Sequence, residues 1–114
     1  MDLNRFTTKA QQAVMAAQRL AETYNHSELE PAHLLLALLQ QSDGVVPQVI
    51  SKIGARPQVV ANAVENLLAS RPKVYGATQV GASRAIIDAL TNAEKEARAM
   101  RDDYVSTEHM LLAL

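Results

Sequence analysis

Cysteine and tryptophan are absent from this 114-residue chain, which has only one phenylalanine and three tyrosines. Without cysteine there is no disulfide framework, no thiol nucleophile and no cysteine-containing zinc site, and the absence fits a reducing compartment. An excess of one charge is missing too: 11 Lys and Arg stand against 12 Asp and Glu, a net charge of −1. Nucleic acids and anionic membrane surfaces favour a basic excess, so neither is expected as a partner. No run approaches the ~18 apolar residues of a membrane span, and the opening MDLNRFTTKAQQ lacks the apolar region of a signal peptide. These absences predict a soluble cytoplasmic protein, expected as an isolated monomer. Its length suits one domain whose core buries roughly two-thirds of the unfolded chain's surface.

What the chain does have is alanine and leucine, 33 of 114 residues together. With β-favouring aromatics so scarce, the composition predicts an all-α fold. The four prolines (31, 47, 57, 72) and four glycines (44, 54, 76, 81) fall between apolar-periodic stretches and cut the chain into about six helices. The first is expected to start at Thr7 or Thr8, with Gln11 closing a capping box on Thr8, and to bury Ala10, Val14, Ala17, Ala21 and Tyr24. The second opens at Pro31 and runs through six consecutive apolar residues, 34–39, to a stop near Asp43-Gly44, which predicts a central position. A third covers about 45–53. The fourth opens at Pro57 with Val60, Ala63, Val64, Leu67 and Leu68 as its apolar stripe. Residues 71–82 read as a connecting loop. A fifth helix begins at the cap Ser83 with stripe Ile86, Leu90, Ala93, Ala97 and Met100, and a sixth follows Ser106.

The halves repeat one another. An offset of 76 carries every stripe position of the first helix onto that of the fifth, Thr7 onto Ser83, and His33 onto His109. Between residues 7–38 and 83–114 eight pairs are identical, Leu35-Leu36-Ala37-Leu38 against Leu111-Leu112-Ala113-Leu114 among them. Duplication accounts for matched caps and a matched histidine better than alanine-rich coincidence does. The expected organisation is one domain, 1–114: a four-helix unit over about 7–70, a linker over about 71–82, and a partial second unit over 83–114, shortened at Leu114. Completing that second unit by the same offset would take the chain to about residue 146.

Few motifs carry chemistry. Gly76 to Ser83 has phosphate-loop spacing but Ala82 where the lysine belongs and no preceding strand, so it is read as a linker and no cofactor is assigned to this chain. His33 and His109 each fall in the first turn of a helix; two histidines without a third ligand make a poor metal site, and no metal is assigned. His26 lies in a polar loop and carries no signal. Asp102, Asp103 and Glu108 bracket the start of the sixth helix, where carboxylates interact favourably with the helix dipole. No nucleophile or converging histidine is legible beside them, so no catalytic residue is assigned.

The segments LNRFTTKAQQAV (3–14), EPAHLLLALLQQSDGVVPQVISKIG (30–54), RPKVYGA (71–77) and DDYVSTEHMLLAL (102–114) together resemble the N-terminal domain of the Clp family of ATP-driven chaperones, in particular its disaggregase branch, the ClpB type. The similarity spans essentially the whole chain. It implies a tandem pair of four-helix repeats, and a non-catalytic module carried on a mobile linker above a hexameric ATPase ring. ATP and Mg belong to that ring's modules, which this chain lacks. By the resemblance the module engages unfolded or aggregated proteins, and the parent, a homohexamer, works with a DnaK-type chaperone system. Thr7, Asp102 and Glu108 match the family's client-binding positions. The alternative is an adaptor-docking N-domain of the ClpC type, which recognises phosphoarginine through acidic residues before the paired histidines. Here Glu108 precedes His109 but Ala32 precedes His33, a departure that argues against phosphoarginine recognition.

Overall fold

A computed structural model describes residues 2–76 and 79–114. Among them are six helices, α1 (Thr8–Thr23), α2 (Pro31–Leu39), α3 (Val45–Lys52), α4 (Pro57–Ser70), α5 (Arg84–Ala99) and α6 (Thr107–Ala113), with two strands of two residues, β1 (Glu28–Leu29) and β2 (Gly81–Ala82). The fold class is therefore all-α, as the composition predicts. No helix among the described residues is long and apolar enough to cross a membrane.

Local chemistry sets most boundaries. Thr7 and Ser83, equivalent under the 76-residue offset, cap α1 and α5 by accepting the amides of Ala10 and Ile86. Both helices end through a left-handed residue, Asn25 (φ 59°) and Arg101 (φ 58°), again 76 apart. The capping box on Thr8 does not form. Thr7 is the cap, and Gln11 instead donates its amide to the carbonyls of Leu3 and Phe6, tying down the segment ahead of α1. α2 stops at Leu39, earlier than expected, because the chain turns at once into α3: the Gly44 amide donates to the Gln41 carbonyl, and a Cβ at Gly44 would lie 2.9 Å from that of Gln41.

The core is built on α1 and α2, with Ala10, Ala13, Val14, Ala17, Leu34, Leu36 and Leu38 buried, and α5 adds Ile86, Leu90, Ala93 and Ala97. Two expected faces differ, and α6 differs from its counterpart α2. α4 buries Ala61, Val64 and Leu68, so that of its expected stripe Val60 is only partly buried and Ala63 and Leu67 are exposed. Met100 is 54% exposed although its counterpart Tyr24 is half-buried, because Tyr24 stacks on the His26 ring (5.6 Å) and position 102 offers no ring. In α6, Thr107, His109 and Met110 are buried, but Leu112 is 62% and Leu114 41% exposed where Leu36 and Leu38 are fully buried. α4 packs over α2; no described helix stands in that relation to α6.

The repeats are clasped by exchanged strands. The linker read as plain loop contains β2, which pairs in parallel with β1, Leu29 opposite Ala82; Ala77 and Thr78, within Gly76 to Ser83, lie outside the described residues. At the other end a parallel bridge joins Phe6 to Val105, the same contact displaced by 76. The segment before α1 thus pairs with the loop before α6, and the segment before α5 with the loop before α2. Phe6, Leu29 and Val105 are buried at these seams.

Candidate functional site

The Phe6–Val105 seam determines where the three sequence-assigned residues stand. The Thr7 amide donates to the Val105 carbonyl (2.9 Å) and the Val105 amide to that of Arg5 (2.8 Å), so the start of α1 is fixed against the segment running from Asp102 to Glu108. Thr7 accepts the Ala10 amide (3.1 Å) through its hydroxyl oxygen, leaving the hydroxyl proton to donate elsewhere. Arg5 reaches over to the Asp103 carbonyl (3.0 Å). Beside this seam lies a cleft of about 40 Å³ lined by Arg5, Glu94, Arg98, Asp102, Asp103 and Val105, a mixed-charge surface.

The two acidic residues differ in kind. Glu108 is exposed in the first turn of α6, and its carboxylate accepts from the neighbouring Thr107 hydroxyl (3.3 Å). Among the described residues no hydrogen bond joins it to Thr7 or Asp102. Asp102, with its side chain 47% exposed, is tied inward by accepting from Nε2 of the buried His109 (2.8 Å). Part of this carboxylate therefore holds the loop before α6, and part faces outward.

With Ser106 at 3.0 Å from His109 Nδ1, the three side chains form a line of serine, histidine and aspartate, a convergence that the spacing of the acidic residues did not reveal. Its chemistry is that of a cap. The Ser106 backbone amide already donates to Nδ1 (2.9 Å), so Nδ1 is an occupied acceptor, while the Ser106 hydroxyl accepts the His109 amide in a capping box. A general base must be free to take the hydroxyl proton, and this one is not. Repeat one makes the same box from Glu30 and His33 with no serine, which shows that the arrangement starts the helix.

The residue that the sequence reading passed over is His26. It is buried, and its Nδ1 lies 2.8 Å from Nε2 of His33. Its signal was the offset itself, which carries His26 onto Asp102 as it carries His33 onto His109. His33 and His109 thus find separate partners, each seven residues upstream. Burial lowers the pKa of His33 to about 4, aided by the neighbouring His26 and Arg71; burial, Arg71 and Lys73 lower that of His26 against the opposing pull of the Leu68 carbonyl and Glu30. Among the described residues no three His, Cys, Asp or Glu side chains gather where they would hold a metal ion.

Residues 5–114 match the family of the Clp repeat (R) N-terminal domain. The chaperone protein ClpB of Bacillus cereus is 41% identical over 117 residues, covering 99% of this chain and 14% of that protein. The chain thus spans about one-seventh of the length of such a relative. The Hsp104 N-terminal domain of Candida albicans has the same fold, with a TM-score of 0.88 at 24% identity over 96% of this chain and 73% of that one. So does a ClpV N-domain in complex with a VipB peptide, with a TM-score of 0.85 at 20% identity over 99% and 71%.

Proposed function

The chain belongs to the Clp repeat N-terminal domain family, and from that premise we propose that it is a non-catalytic recognition module that engages unfolded or aggregated protein for an ATP-driven disaggregase ring. The observation that supports this reading is the Phe6–Val105 seam: its backbone bonds tie Thr7 to the segment that carries Asp102 and Glu108. A hydroxyl and outward carboxylates there offer hydrogen-bond partners to the amides and basic side chains of an extended chain. In this reading the ring is a homohexamer that works with a DnaK-type system, and ATP and Mg act in the ring alone.

A second reading is docking of one defined adaptor segment, and the ClpV N-domain complexed with a VipB peptide favours it. Titrating the domain into a fluorescently labelled, permanently unfolded protein and into the same protein in its native state separates the two. Recognition of clients predicts weak, saturable binding of the unfolded form without nucleotide. Binding of neither form would leave adaptor docking as the better account.

A further inference from the structure

The two repeats start their central helices with the same histidine but give it different partners, and the difference has a consequence for protons. In repeat one the Glu30 amide donates to His33 Nδ1 (2.9 Å), which places that ring's proton on Nε2, from where it is donated to His26 Nδ1 (2.8 Å). Both rings are therefore neutral. A proton added to His26 Nδ1 would face the Nε2–H of His33, and one added to His33 Nδ1 would face the Glu30 amide. Either addition breaks a hydrogen bond in a buried place. In repeat two Nδ1 of His109 likewise accepts a backbone amide, that of Ser106 (2.9 Å), but its Nε2 proton goes to the carboxylate of Asp102 (2.8 Å) and not to a second imidazole. The outer nitrogen of the ring there faces a carboxylate where its counterpart faces another ring.

The histidine pair lies under the linker. A cavity of about 160 Å³ is lined by His26, Glu30 and His33 together with the linker residues Arg71 and Pro72. The loop containing His26 carries the linker on its carbonyls: Val74 donates to Asn25 (2.8 Å), Gly81 to Ser27 (3.0 Å) and Ser83 to Leu29 (3.1 Å). The charged groups around the pair are Glu22 of α1, Glu28 and Glu30 of the loop, and Arg71 and Lys73 of the linker. Glu30 is drawn toward Arg71 (3.8 Å), so its charge is shared between the histidines and a linker guanidinium. Among the described residues His26 Nε2 has no hydrogen-bond partner, although the nearby Leu68 carbonyl favours its protonated form.

We propose that His26 and His33 form an acid-sensitive latch that holds the linker onto repeat one, and that repeat two, with Asp102 in the place of His26, is insensitive to the same change. The latch releases when either imidazole takes a proton, because the protonated pair relieves its clash by opening the loop and freeing the linker amides.

Amide hydrogen exchange between pH 7.5 and pH 5, expressed as protection factors to remove the intrinsic pH dependence, tests this on the unmodified chain. The two seams are each other's control. Protection of Val74, Gly81 and Ser83 should fall by about tenfold or more at pH 5, the factor that a histidine depressed to about 4 and released to about 6.5 supplies. Protection of Thr7 and Val105 should change much less. His26→Asp, which gives repeat one the partner used in repeat two, should remove most of the acid-dependent loss. Equal loss at both seams, or no loss at the linker seam, would overturn the proposal whether or not the variant folds.

Discussion

Leu36 and Leu112 hold the same place in the two repeats yet differ in burial, 0% against 62% exposed, so replacing each by alanine separates packing from helix propensity. The chemistry of the change is identical, and both sites lie in a helix starting with a histidine capping box. At Leu36 the substitution removes a fully enclosed side chain, at a cost of about 2–5 kcal/mol from lost burial and the cavity left behind. At Leu112 most of the side chain already meets water, and the expected change is within about 0.5 kcal/mol. Each kcal/mol moves the melting temperature of a chain this size by roughly 4–8 °C, so Leu36→Ala should melt at least about 8 °C below the parent and Leu112→Ala within about 4 °C. Thermal melts followed by far-ultraviolet circular dichroism, with urea midpoints to check for an unchanged slope, would show the difference. Equal destabilisation by the two substitutions would refute the reasoning, since it would mean that α6 is as enclosed as α2.

Asp102→Ala should cost about 1–3 kcal/mol, because it strands the buried Nε2–H of His109, whereas Glu108→Ala should melt within a few degrees of the parent; urea titration of both checks the order. Asp102→Asn keeps an acceptor and should fall between them. His33 binds its proton less readily folded (about 4) than unfolded (about 6.5). Its stabilising share is therefore complete above pH 6.5 and lost as pH falls toward 4, by about 3 kcal/mol in all. Denaturation midpoints across that range should fall accordingly, and a flat profile would contradict a neutral, buried His33.

Much of this fold is legible in the residues because its signals are local. Thr7 and Ser83 announce caps, alanine stripes set the inward faces of α1 and α5, and the 76-residue offset gives the duplication. The seams are illegible for the opposite reason. Two-residue strands have no alternation to read, and the pairing of Phe6 with Val105 joins residues almost a full chain apart. Exposure of Met100 is illegible because it depends on what stands opposite it, a ring at position 26 but none at 102. The candidate site divides similarly: Thr7, Asp102 and Glu108 were named by resemblance, but that Asp102 is half committed to His109 is a fact of the folded loop. His26 shows a signal left unused, since its offset partner is Asp102 and both stand seven residues before a matched histidine.

The claim that this chain recognises unfolded protein through the end formed by Thr7 and the 102–108 segment is tested most directly by amide chemical-shift mapping. A ¹⁵N-labelled sample is titrated with an unfolded, non-aggregating protein in the absence of nucleotide. The account predicts that shifts grow with saturation and concentrate at Thr7 and at residues 102–108, while the linker amides Val74, Gly81 and Ser83 stay still. Saturable shifts confined to other faces, or no shifts at any concentration of the unfolded protein, would contradict it.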